Sequence, residues 1–118
     1  MNLLFILCTI LTASEPYKPG TTIFIEDGFF SRQIEKATGS HMSHVAIILY
    51  DNDTPWVYES TLPVVKRTPL KQWQEERAKS EKNRTKIHYV EPKHDYSEEQ
   101  LKGMKDYADK QLGRKYQI

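Results

Sequence analysis

Two short apolar runs separated by a cluster of turn-forming residues constrain the fold of this chain more than any other feature. Residues 44–50 read His-Val-Ala-Ile-Ile-Leu-Tyr, residues 56–60 read Trp-Val-Tyr-Glu-Ser, and residues 51–55 between them read Asp-Asn-Asp-Thr-Pro. Apolar and aromatic runs joined by such a cluster are typical of a β-hairpin. In a hairpin the start of the first strand lies beside the end of the second. The sequence therefore predicts that His44 and Glu59 are neighbours.

These two predicted neighbours have complementary chemistry. A histidine that begins a strand can project into a cleft at the edge of a sheet, and a carboxylate on the adjacent strand can hold one ring nitrogen while the other exchanges protons. Together, His44 and Glu59 are two of the three groups of a cysteine-hydrolase triad. The third group, the nucleophile, is not evident, because the only cysteine is Cys8.

Cys8 lies in an apolar run over residues 3–13, whose length suits the core of a signal peptide and is too short for a membrane span. We predict a secretory signal over residues 1–14 and a mature domain over residues 15–118. The protein would then be secreted or periplasmic, without a cysteine or a stable membrane span after cleavage. The alternative is that the run forms a buried first strand or helix.

Length and charge restrict the remaining possibilities. A chain of 118 residues supports one small domain, and 38% hydrophobic with 28% charged residues is typical of a globular protein. The 17 Lys and Arg residues nearly balance the 16 Asp and Glu residues. This balance gives no reason to expect nucleic acid as a partner.

The rest of the chain alternates between predicted strands and helices without an internal repeat. We predict strands at residues 21–26, 64–65 and 87–90, and a helix over residues 32–38 that Ser31 caps and Gly39 ends. Thr68 and Pro69 resemble the cap and first turn of a helix that extends to about residue 79 and buries Leu70 and Trp73. These elements predict an α+β fold with a small antiparallel sheet and flanking helices.

The last predicted helix has the clearest signals. Ser97 and Gln100 form a capping-box pattern, and Gly113 is placed to end the helix. An apolar stripe at helical spacing, which indicates core packing rather than a cofactor site, consists of Leu101, Met104, Ala108 and Leu112.

Six segments occur in an order that resembles the permuted papain-like amidases of the YaeF/YiiX group, which are related to NlpC-type peptidases. They are residues 18–25, 30–39, 43–47, 57–60, 65–70 and 112–116. The resemblance covers nearly all of the predicted mature chain, and it implies a permuted papain-like, NlpC-type fold.

The resemblance also implies roles for individual residues. His44 takes the position of the catalytic histidine, and Glu59 that of the polar residue that orients it. In the family's order the cysteine nucleophile follows the segment at residues 112–116, whereas this sequence ends at Ile118. The implied function is a thiol amidase or peptidase without a cofactor. Its substrate would be an amide or ester in a peptide, peptidoglycan-like or lipid-linked molecule.

Because the nucleophile is missing, we expect the domain to be truncated at its C-terminus and therefore inactive, with an exposed apolar surface and low stability. A serine is a poor substitute for the cysteine nucleophile. Ser43 directly precedes His44 and Ser60 directly follows Glu59, and neighbouring residues on a strand point to opposite faces.

Two other functions stay open. One is a non-catalytic module that binds a peptide or an acyl ligand. The other is a metal-dependent hydrolase, since His41 and His44 lie three positions apart. That spacing aligns ligands on a helix, but a strand is predicted here, and we therefore expect no metal site.

Overall fold

The structure is a computed structural model, and it describes residues 17–27, 44–61, 64–80 and 85–115. The predicted signal over residues 1–14 and the predicted helix over residues 32–38, with Ser31 and Gly39, lie outside the described residues. Cys8, His41 and Ser43 lie outside them too.

The described residues form one antiparallel sheet and two helices, which confirms the predicted α+β class. The elements, in chain order, are β1 (Thr22–Asp27), β2 (His44–Asp51), β3 (Thr54–Ser60), β4 (Val65–Pro69), α1 (Leu70–Ser80), β5 (Thr85–Val90) and α2 (Glu98–Gln111). The strand order across the sheet is β4-β3-β2-β1-β5, and every neighbouring pair is antiparallel. Within the described ranges, neither helix is long and apolar enough to cross a membrane.

The β2–β3 hairpin confirms the hairpin that the sequence predicts over residues 44–60. Its turn consists of Asn52 and Asp53, which have φ angles of 50° and 63°. Two consecutive residues with positive φ are typical of a type I′ turn, whose twist matches that of the flanking strands. The turn sets the register, in which Asp51 faces Thr54 and Ala46 faces Glu59. Strand β3 therefore begins two residues earlier than predicted.

The boundary between β4 and α1 differs from the prediction that Thr68 and Pro69 begin a helix. Both residues belong to β4, where Thr68 pairs with Val57 and Pro69 with Trp56, and α1 begins at Leu70. Proline is tolerated there because β4 is at the edge of the described sheet, where a missing N–H leaves no neighbouring strand unpaired. The strand predicted at residues 64–65 is therefore longer than expected. Pairing with β3 extends it to Pro69, directly before α1.

One face of the sheet packs against α1 and holds the hydrophobic core. We call it the α1 face. Leu70 and Trp73 are buried in it, as predicted. They join five sheet residues that share this face, namely Ile23, Ile25, Ala46, Ile48 and Val57. Residues two apart on a strand point to the same side, so the alternation in β1, β2 and β3 produces this core directly.

Helix α2 lies over the opposite face, which we call the α2 face. The predicted capping box is confirmed: the Gln100 backbone N–H donates to Ser97 Oγ at 3.1 Å, and the Ser97 N–H donates to Gln100 Oε1 at 2.9 Å. The prediction that the apolar stripe of this helix packs into the core is wrong, because no residue of α2 is buried. Polar contacts attach this helix to the sheet instead. The hydroxyl of Tyr58 donates to Asp109 at 2.6 Å.

Candidate active site

The hairpin register brings His44 and Glu59 together on the α1 face. Glu59 pairs with Ala46, and His44 lies two residues before Ala46 on β2. Paired residues share a face, as do residues two apart, so both side chains project from the same side of the sheet. His44 Nε2 lies 3.0 Å from Glu59 Oε2. The neighbourhood that the sequence predicts is thus present as a direct hydrogen bond.

The carboxylate of this pair is buried, whereas the imidazole is partly accessible. The Glu59 side chain is 3% exposed and that of His44 is 21% exposed. Burial raises the pKa of the Glu59 carboxyl, but hydrogen bonds from His44 and Trp73 and the positive charges of His44 and Arg77 outweigh burial, so the pKa lies below its ordinary value. Glu59 is therefore ionised at neutral pH.

An ionised Glu59 determines which ring nitrogen of His44 is available. A carboxylate accepts hydrogen bonds and donates none, so Nε2 of His44 must carry the proton that it shares with Glu59. In the neutral imidazole the other nitrogen, Nδ1, is then unprotonated. His44 is oriented to accept a proton at Nδ1 and to return it.

Helix α1 supplies two more groups to this carboxylate. Trp73 Nε1–H donates to Glu59 Oε2 at 3.1 Å, and Arg77, one turn further along the helix, places a guanidinium nitrogen 3.9 Å from the same oxygen. The sequence predicts Trp73 as a core residue alone and does not single out Arg77. A buried tryptophan needs an acceptor for its N–H, and this requirement was the available signal.

The basic pair Lys66 and Arg67 divides between the two faces of the sheet, as neighbours on a strand must. Lys66 Nζ lies 3.9 Å from Glu59 Oε1 on the α1 face. On the α2 face, Arg67 donates to Asp51 at 2.9 Å and lies over the ring of Trp56, 4.1 Å from its centroid. Only Lys66 contributes to the environment of the candidate site.

An apolar cleft of about 540 Å³ lies on the α2 face, between the sheet and α2. Side chains of the sheet on that face and of the helix stripe line it, including Val45, Leu49, Tyr58, Met104 and Ala108. Ser60 also lines this cleft. It points away from the side of Glu59, as the sequence predicts, which makes Ser60 a poor nucleophile for His44.

No group of three or more His, Cys, Asp or Glu side chains within the described ranges is arranged to hold a metal ion. Glu59 lies instead among nitrogen groups: His44 and Trp73 at hydrogen-bond distance, and Lys66 and Arg77 at 3.9 Å. Positive charges at this distance oppose a further cation.

Comparisons with known proteins identify the family of the chain and a solved structure with a similar fold. The family described as "Permuted papain-like amidase enzyme, YaeF/YiiX, C92 family" matches residues 16–118. No curated protein matches. Among solved structures, that of metalloprotein yiiX from Escherichia coli O157:H7 has a TM-score of 0.67 and 29% sequence identity. The match covers 86% of this chain and 53% of that one, so this chain spans about half the length of that protein.

The family match extends over the sheet, both helices and the His44–Glu59 pair, and the structural neighbour shares the arrangement of the described elements. The chain belongs to the YaeF/YiiX family of permuted papain-like amidases.

Proposed function

We propose that His44 and Glu59 are the proton-transfer pair of a thiol amidase site. The observation that supports this most strongly is the 3.0 Å bond between His44 Nε2 and a buried, ionised Glu59. The bond holds the imidazole in one orientation with Nδ1 unprotonated, as a general base requires. His44 is the catalytic residue in this proposal, and Glu59 is its positioning residue.

The chemistry assigned to His44 is proton transfer to and from a thiol nucleophile. Nδ1 takes the S–H proton, and the thiolate sulfur attacks the carbonyl carbon of an amide or ester. Collapse of the tetrahedral adduct breaks the bond to the leaving group, which receives the proton from the imidazolium. A water molecule then releases the acyl group from sulfur, with Nδ1 accepting its proton.

We infer that the thiol comes from the part of the family's length that this chain does not span. The resemblance to the family implies a nucleophile after residues 112–116, and Cys8 lies far on the other side of His44 in the sequence. The described residues contain no cysteine. The substrate class that follows from the family is a peptide-type amide, and cell-wall peptides and lipid-linked amides or esters are our specific candidates.

Metal-dependent chemistry is the competing interpretation, since the yiiX neighbour is titled a metalloprotein. The residues around His44 and Glu59 do not fit a metal ion. The two groups bond to each other, and Lys66 and Arg77 place positive charge beside the carboxylate. We therefore assign no step to a metal ion at this pair.

An exogenous thiol tests the proposal on the chain as it stands. If His44 is a general base, the protein should accelerate transfer of an acyl group from a peptide thioester to cysteamine, and the rate should depend on the cysteamine concentration. We expect His44→Ala to lower this rate by about 10²-fold or more, the usual contribution of general-base catalysis.

His88 provides a matched control, because it also forms a pair with a glutamate. His88 Nε2 lies 3.3 Å from Glu26 Oε2, but this pair is solvent-exposed. His88→Ala should leave the cysteamine-dependent rate unchanged. Equal rates for wild type and His44→Ala would refute the proposal, and equal losses in the two variants would show that the reaction does not use the buried pair.

A further inference from the structure

We propose that Trp73 is a positioning residue of this site. Its N–H holds the Glu59 carboxylate in the orientation that bonds to His44, and the nearby Arg77 guanidinium reinforces this orientation. This inference rests on the proposed function for its effect on catalysis. Its effect on the carboxylate itself can be measured separately.

The donors around Glu59 converge on one oxygen. His44 Nε2 lies 3.0 Å from Oε2 and Trp73 Nε1 lies 3.1 Å from the same atom. A carboxylate that accepts two bonds through one oxygen loses its freedom to rotate, and the second donor stabilises its charged form. The Trp73 N–H therefore constrains the atom that orients the imidazole.

Burial and its position in α1 make Trp73 a rigid support. Trp73 is 2% exposed and lies in α1 one turn after Leu70, which is buried in the same core. Its neighbour one turn further on, Arg77, lies 5.2 Å from the Trp73 ring centroid and 3.9 Å from Glu59 Oε2. One helix thus fixes both groups relative to the sheet.

Packing alone does not account for this arrangement. A phenylalanine or leucine would fill a core position without adding a donor, whereas the indole N–H is aimed at a charged group that the sheet has buried. The charged groups that face Glu59 are His44 from β2, Lys66 from β4 and Arg77 from α1. Among the donors to Oε2, Trp73 is the one without a charge of its own to titrate.

The test uses the 118-residue chain with Trp73→Phe, which removes the N–H and keeps most of the aromatic volume. The Glu59 carboxyl is followed by ¹³C NMR during an acid titration and is assigned from its loss in Glu59→Gln. We expect its titration midpoint to move to higher pH, since a donor to the charged form has been removed. Leu70→Val, a matched loss of volume in the same helix and core, should leave the midpoint unchanged.

A second variant separates hydrogen bonding from packing if Trp73→Phe folds poorly. Benzothienylalanine at position 73 replaces the indole N–H by sulfur and keeps the shape of the ring. It should move the Glu59 midpoint in the same direction. In the cysteamine assay both changes at position 73 should lower the rate by about tenfold, the effect of one hydrogen bond to a charged group.

The outcomes distinguish this inference from the proposed function. An unchanged Glu59 midpoint in both position-73 variants would overturn the inference. So would an equal shift in Leu70→Val. The two position-73 variants could also shift the Glu59 midpoint in a protein whose cysteamine-dependent rate does not depend on His44. That result would agree with Trp73 holding Glu59 in place, and it would count against the thiol amidase proposal alone.

Discussion

The two faces of the sheet are built differently, although each lies against a helix. On the α1 face, Leu70 and Trp73 pack into a continuous apolar core. On the α2 face, the helix is joined to the sheet by Tyr58–Asp109 and Lys105–Asp51 contacts, and an apolar cleft separates the rest of its stripe from the sheet. The candidate site lies on the packed face.

This difference shows how a small sheet can combine a rigid site with an open surface. Proton transfer needs groups held to within a fraction of an ångström, and side chains locked by packing provide that precision. Glu59 obtains it from the core through Trp73. The α2 face has no buried helix residue and carries a cleft that a close-packed interior would not contain.

The largest predicted difference between the faces comes from matched leucine truncations. Leu70→Ala on the α1 face should lower the free energy of unfolding by about 2–5 kcal/mol, as expected for a buried leucine. Leu101→Ala in α2 should cost less than about 1 kcal/mol, since Leu101 is only partly buried. Urea denaturation followed by far-UV circular dichroism measures both values. Similar costs would mean that α2 packs as tightly as α1.

Two substitutions of alanine by leucine test the same difference between the faces by adding side-chain volume instead of removing it. Ala46→Leu adds volume to the packed core and should destabilise the protein by about 1–3 kcal/mol. Ala108→Leu projects into the α2 cleft and should stabilise it by about 0.5–2 kcal/mol, as cavity-filling substitutions do. Thermal melts of the two variants beside wild type give the comparison. A destabilising Ala108→Leu would show that the cleft is not free to accept a side chain.

The polar attachment of α2 should contribute a smaller, measurable amount. Tyr58→Phe removes a hydroxyl that donates to Asp109 and accepts from Arg67, and we expect a loss of about 1–2 kcal/mol. Burial and the bond to Asp109 raise the pKa of Tyr58, so the hydroxyl is protonated over the range in which the protein is stable. Amide hydrogen exchange should show faster opening in α2 and little change in α1. Equal acceleration in both helices would contradict separate attachment.

The smallest predicted effect is a loss of stability at acidic pH that arises from protonation of Glu59. Its pKa in the folded state lies below the ordinary value of 4.5, so its ionised form contributes stability that is complete above pH 4.5. That contribution decreases as the pH falls through the folded-state pKa. The stability difference between wild type and Glu59→Gln should therefore shrink in acid. We would measure it by urea denaturation between neutral pH and the acid limit of folding, and a difference that grows below pH 4.5 would be the opposite result.

The parts of the structure that the sequence predicts well are those that local chemistry determines. Asn52 and Asp53 tolerate the positive φ that the hairpin turn needs, and this turn fixes the register that joins His44 to Glu59. The capping box of α2 is also local. In both cases neighbouring residues in the chain contain all the information.

The parts that the sequence misses depend on contacts between distant segments. Thr68 and Pro69 have the pattern of a helix start, but pairing with β3 makes them strand. The stripe of α2 has the spacing of a core helix, yet no residue of α2 is buried, and an apolar cleft lies between the stripe and the sheet. Trp73 is correctly predicted to be buried, but its partner Glu59 can be identified only once α1 is placed on the sheet.

The central claim is that His44 and Glu59 act as one unit in proton transfer, and the cysteamine-dependent rates of His44→Ala, Glu59→Gln and the double variant test it most directly. If Glu59 acts through His44, the double variant should be no slower than His44→Ala alone, because groups that work as a unit are strongly non-additive. Losses that multiply in the double variant would contradict the account.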